Sequence, residues 1–137
     1  MPKQQLPLPA AEVFVVCQEI YYDQRTNQFI LVGPTSSLAL PQFPARVRVS
    51  LYAHLTGGHG RYPLELCLRD AEEEAVWRWR PPGFIDMSDP LVPVDWTSFN
   101  LELEVPRPGK YRLALLTNGK EFAQQGLWFG PSAAFRS

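Results

Sequence analysis

One run of the chain limits the fold more than any other. Asn100-Leu-Glu-Leu-Glu-Val105 alternates apolar and charged residues, and Pro106-Arg-Pro-Gly109 follows it. Lys110-Tyr-Arg-Leu-Ala-Leu-Leu-Thr117 then leads into Asn118-Gly119 and Lys120-Glu-Phe122. Alternation at period two builds a half-buried strand. Asn-Gly between two such runs is the strongest short-range signal of a tight hairpin. Strand, turn and strand therefore agree within one segment, and they specify antiparallel β structure.

The same turn sets a register. A two-residue loop pairs Thr117 with Lys120 and Leu115 with Phe122. Leu127 and Phe129 have the opposite parity to Phe122, so an unbroken ladder would turn them away from the core. One extra residue repairs this. The sequence predicts a β-bulge near Gln124-Gln125-Gly126, with Gly126 the natural site.

The remainder reads in the same way. Glu12-Val-Phe-Val-Val-Cys17 is β-branched and aromatic, continues towards Tyr21, and meets turn residues at Asp23-Gln-Arg-Thr-Asn27. Phe29-Ile-Leu-Val32 returns as the second strand of a hairpin that is apolar on both faces. Val47, Val49, Leu51, Ala53 and Leu55 alternate with Arg46, Arg48, Ser50, Tyr52 and His54, which gives one buried and one wet face. Thr56-Gly-Gly-His-Gly60 reads as a loop closing a hairpin onto Leu64, Leu66 and Leu68. Asp70 to Glu74 reads as a solvated turn. Ala75-Val-Trp-Arg-Trp-Arg80 is a further strand. Residues 35–44 and 81–97 are broken by proline, which cannot sit in a central strand. The second of these reads as an irregular crossing between sheets.

About eight strands with no helix signal describe an all-β fold, a single antiparallel β-sandwich over residues 12–130. A closed β-barrel is the alternative. Residues 1–11 and 131–137 read as flexible tails. The chain has 137 residues, 45% of them hydrophobic and 20% charged, which is enough apolar material for one core. A net charge of -1 gives no field to attract nucleic acid or an anionic membrane, so neither is an expected partner. The start lacks the apolar run of a secretion signal, and no stretch approaches the roughly 18 apolar residues of a membrane span. The expected location is cytoplasmic, with Cys17 and Cys67 as buried, reduced thiols.

A resemblance supports the sandwich. Cys17-Gln-Glu19, a polar turn and Asn27-Gln-Phe-Ile-Leu-Val-Gly33 open the pattern, and Pro108-Gly-Lys-Tyr111 and Gly126-Leu-Trp-Phe129 close it. Over residues 12–129 the chain resembles a family of small uncharacterised bacterial proteins, classed only as a domain of unknown function. The resemblance implies an immunoglobulin-like sandwich. No known catalytic residues come with it.

Chemical motifs are sparse. There is no nucleophile elbow and no phosphate loop. His54 and His59 flank a glycine loop and are the weak candidates for a metal site or for acid–base catalysis, but a metal needs three or four ligands. Neither the run Asp70 to Glu74 nor Asp86-Met-Ser-Asp89 has calcium-loop spacing, and both read as turns. No cofactor is expected. Trp77, Arg78, Trp79 and Arg80 offer alternating rings and cations, a pattern suited to sugars, bases or a proline-rich peptide. Tyr21 and Tyr22, with Phe29, offer an aromatic patch on the first hairpin. The favoured function is a non-catalytic module for protein binding, assembly or self-association. Small-ligand or carbohydrate binding through the Trp/Arg strand is the alternative, and an enzyme using His54 or His59 is a remote third.

Overall fold

In the computed structural model, which describes residues 7–131, eleven strands and no helix form. They are β1 Ala10–Asp23, β2 Gln28–Pro34, β3 Ser37–Leu40, β4 Ala45–Thr56, β5 Gly60–Tyr62, β6 Glu65–Arg69, β7 Ala75–Trp79, β8 Ile85–Met87, β9 Val94–Val105, β10 Gly109–Thr117 and β11 Lys120–Pro131. One sheet has the order β2-β1-β4-β9 and the other β3-β11-β10-β6-β7, while β5 and β8 pair by themselves. Neither main sheet closes on itself, so the fold is a sandwich and not a barrel.

The connectivity is immunoglobulin-like. The C-terminal hairpin β10–β11 lies beside β6 and β7, and β4 pairs with β9 in the opposite sheet. β3 leaves the first sheet and runs parallel to β11 on the second. Its four residues stand between Pro34 and Pro41 on a sheet edge, where proline is tolerated.

The core is the set of inward rows. Val47, Val49, Leu51, Ala53 and Leu55 of β4 and Leu101, Leu103 and Val105 of β9 face Leu66, Leu68, Leu113, Leu115, Leu127 and Phe129 from the second sheet. Cys17 and Cys67 are both free and fully buried. The Cys17 thiol donates to the Ser50 carbonyl at 3.4 Å, and burial pushes its pKa up.

Several expectations are corrected. The bulge on β11 exists but is displaced from Gln124-Gln125-Gly126: Leu116 pairs with Glu121 and Leu115 with Ala123, so Phe122 is the extra residue. Placing it there lets Phe122 and Ala123 both pack on the core and brings Leu127 and Phe129 inward. Gly126 pairs regularly with Arg112. The turn itself is as expected, with Asn118 at φ 50° and Gly119 at φ 78°. The loop after Thr56 closes no hairpin, because β4 and β6 belong to opposite sheets. β9 begins at Val94, so the crossing is shorter than residues 81–97 and carries β8 within it. The leading segment is partly tied down: Tyr62 Oη donates to the Pro7 carbonyl at 2.7 Å and accepts the His59 N–H at 2.8 Å. Residues 1–6 and 132–137 lie outside the described residues.

Two polar contacts brace the β9–β10 corner. Tyr111 Oη donates to the Arg107 carbonyl at 2.6 Å, four residues upstream, and its ring meets Phe129 edge-on at 5.5 Å. This is the tyrosine corner of immunoglobulin-like domains. Two residues on, where antibody domains carry a cysteine, stands fully buried Leu113. Asp70 is no solvated turn residue. It is 6% exposed, accepts the N–H groups of Glu72 and Glu74, and meets Arg107 Nη2 at 2.7 Å. The Glu74 N–H above all, then the Glu72 N–H and the Arg107 guanidinium, outweigh burial and hold its carboxyl below the ordinary range.

Tyr111→Phe should lower unfolding stability by about 1–2 kcal/mol in urea titrations, since it strips a donor from a part-buried carbonyl. A change near zero would show that the corner bond contributes nothing. Because the folded Asp70 pKa lies below the unfolded one, its stabilisation is full above the ordinary carboxylate range and is lost as pH falls through it. Asp70→Asn should therefore flatten the acid limb of a plot of melting temperature against pH, and an unchanged slope would count against that linkage.

Candidate binding surface

The first hairpin cannot run straight. Val15 of β1 pairs with Tyr52 of β4, and Tyr22, seven residues further along β1, pairs with Phe29 of β2. A straight strand would hold Tyr22 about 23 Å from Val15 at about 3.3 Å per residue. Yet the Phe29 ring lies 5.6 Å from the Tyr52 ring and 5.1 Å from that of Tyr22. The hairpin therefore bends back towards Tyr52, on the face of β4 opposite the core. Gly33 stands opposite Gln18 between the two halves of the ladder, at φ 66°. A Cβ at Gly33 would come within 2.9 Å of the Gln18 side chain, so a larger residue would disturb the bend.

The bend sorts the side chains into two faces. Ile20 is buried and Phe29 and Leu31 are half-buried. Tyr21, Ile30 and Val32 point away and are 53%, 48% and 40% exposed. Tyr21 sits beside Ile30 and Glu19 beside Val32 across the ladder, so Tyr21, Ile30 and Val32 form one continuous apolar stripe with the Glu19 carboxylate at its end. Tyr21 Oη donates to Glu19 Oε2 at 2.6 Å and fixes its polar end. Tyr22, also half exposed, donates to Asn27 Oδ1 at 2.8 Å at the hairpin tip.

Beside the hairpin, the wet face of β4 and β9 carries a polar network. Tyr52 Oη donates to Asp95 Oδ1 at 2.7 Å, and His54 Nδ1 meets the same oxygen at 2.7 Å. A carboxylate only accepts, so Nδ1 carries the proton and Nε2 is left facing Glu12 at 3.9 Å. Burial works against the Asp95 charge, but the hydrogen bonds from His54 and Tyr52 outweigh it and hold the carboxyl below its ordinary range. Burial first, then the bond to Asp95, pushes the Tyr52 hydroxyl up to about 12.

His59 is not brought to His54. Its backbone N–H is spent on Tyr62. Among the described residues no group of three or more His, Cys, Asp or Glu side chains is placed to hold a metal. The cavities of about 320, 310 and 250 Å³ are not lined by either histidine. Asp86 and Asp89 cap turns, accepting the N–H groups of Ser88 and Leu91 at 2.9 and 3.0 Å.

The Trp/Arg strand lacks the open rings that a stacking ladder needs. Trp77 and Trp79 of β7 are half-buried and pack against the core. Arg78 and Arg80 are turned out and both reach the Glu65 carboxylate, at 3.4 and 3.2 Å. The pattern missed Ile30 and Val32 as surface residues, because an apolar run does not say which face stays wet. It also missed the partnership of His54 with Asp95, which are 41 residues apart and meet only through the β4–β9 register.

Comparisons with known proteins add the following. The family model described as "Family of unknown function (DUF6941)" matches residues 12–127. No curated protein matches the chain. A crystal structure of an immunoglobulin-like protein from Pseudomonas aeruginosa is similar at a TM-score of 0.45 and 10% identity, covering 90% of this chain and 97% of that one.

The raised Tyr52 pKa gives an alkaline prediction. Stability from the protonated phenol is full below about pH 10 and is lost as pH rises towards about 12. Tyr52→Phe should remove that part of the loss in alkaline unfolding curves, and identical curves for the two proteins would count against the Asp95 bond.

Proposed function

The chain belongs to the DUF6941 family, and we propose that it is a non-catalytic module for protein binding and assembly, with the β1–β2 hairpin as its contact surface. The observation that supports this reading is the stripe of Tyr21, Ile30 and Val32 on a hairpin whose other face packs in part, through Ile20 and Phe29, on its own domain. Large apolar side chains that are contiguous, ordered and half exposed mark interaction sites in soluble domains. Tyrosine at such a surface supplies contact area at low entropic cost, and the Glu19 bond already fixes its hydroxyl. The hairpin presents this stripe on a rigid two-sheet frame, the usual arrangement of recognition elements on sandwich domains.

The chemistry elsewhere fits a module of this kind. The His54–Asp95 pair has the geometry of an oriented base, but both side chains stand part-exposed on the outer face of β4 and β9. Cys17 and Cys67 are fully buried in strands, and burial pushes the Cys17 thiol up, away from the activated thiolate range.

A photo-cross-linking amino acid placed at position 30, with a control at Glu104, tests the reading in cells. Discrete protein adducts from position 30 and none from the control are expected. Adducts of equal pattern at both positions, or none at either, would overturn it.

A further inference from the structure

We infer that the partner of the hairpin is a second copy of this chain, joined antiparallel through the free edge of β2. The inference rests on the reading of the hairpin as the contact surface. The two main sheets have four edges, formed by β2, β9, β3 and β7. Sheet edges offer unpaired N–H and C=O groups and are normally guarded against pairing. Three of the four are guarded here. β9 turns Glu102 and Glu104 to the outside, both exposed. β7 is five residues long and turns Arg78 outward. β3 is four residues long and lies between prolines.

β2 has no such guard. It is seven residues, Gln28-Phe-Ile-Leu-Val-Gly-Pro34, with no charge. Gly33, at φ 66°, and Pro34 break it at its C-terminal end and leave Gln28 to Val32 able to pair. Its outer side chains, Ile30 and Val32, are apolar and exposed.

The edge is matched to itself. Antiparallel pairing about Leu31 sets Ile30 of one copy beside Val32 of the other, and the two-fold repeats the contact. Each row then reads Glu19, Val32, Ile30 of the partner copy and its Tyr21, by the ladder already present in each hairpin. β-Branched residues facing each other across strands are among the favourable pairs. The two Glu19 residues end up three strand spacings and two residues apart, about 16 Å, beyond the Debye length of about 8 Å at physiological salt. No like charges meet, and the apolar stripe of each copy is continued by that of the other.

Sedimentation equilibrium on the purified full chain, with no other protein present, tests this. The wild type should pass from monomer to dimer with rising concentration. Ile30→Lys/Val32→Lys and Ile30→Glu/Val32→Glu should each weaken association at least about tenfold, since like charges would face across the pair. Mixing the two variants should restore a dimer, which also shows that both are folded. A wild type that stays monomeric at about 1 mM overturns the inference, as does a dimer that survives in both variants. If the wild type is monomeric while position 30 cross-links to a different protein, self-pairing fails and the binding-module reading stands.

Discussion

A two-layer sandwich has room to bury one face of each sheet, and the first hairpin is apolar on both. That mismatch governs the surface of this protein. Bending at Gly33 and Gln18 lets the hairpin cover part of the outer face of its own sheet, with Phe29 against Tyr52. It leaves Tyr21, Ile30 and Val32 without cover. Cys17 and Ser50, on the outer side of the sheet by alternation, are buried. One bend therefore both finishes the packing of the sheet and creates the exposed stripe.

The frame behind the hairpin is held by contacts that are few and specific. The Tyr111–Arg107 bond and the Asp70–Arg107 pair both act on the corner where the chain crosses from β9 to β10. In an immunoglobulin-like chain without a disulfide, that corner takes on work that a cross-link shares elsewhere. Tyr62 does a similar service at the other end, joining Pro7 to His59. Such bracing gives the proposed binding role a frame that holds the hairpin still.

The outer face of β4 and β9 shows how chemistry-bearing residues can be placed for structure. Tyr52, His54 and Asp95 share one carboxylate oxygen. The bonds keep an acid ionised and a phenol protonated on the face that the hairpin bends towards. An isolated histidine in a sequence carries no information about such a role, because its partner arrives from another strand.

Period-two alternation in β4, β6, β9 and β10, the Asn118-Gly119 turn and the proline-broken connections are properties of neighbouring residues. Those local patterns therefore determined the longer strands, the Asn118-Gly119 turn and the class as an antiparallel sandwich, but not the short strands β3, β5 and β8. The need for one extra residue in β11 was also legible, because parity counts residues. Its place was not: Phe122 won over Gly126 because only the assembled core rewards burying that ring. The pairing of β3 with β11, the burial of Asp70 and the meeting of His54 with Asp95 depend on residues far apart in sequence. The same holds for the inward turn of Trp77 and Trp79 and the outward turn of Ile30 and Val32. An apolar pattern states which residues can be buried, and only the assembled layers decide which of them are.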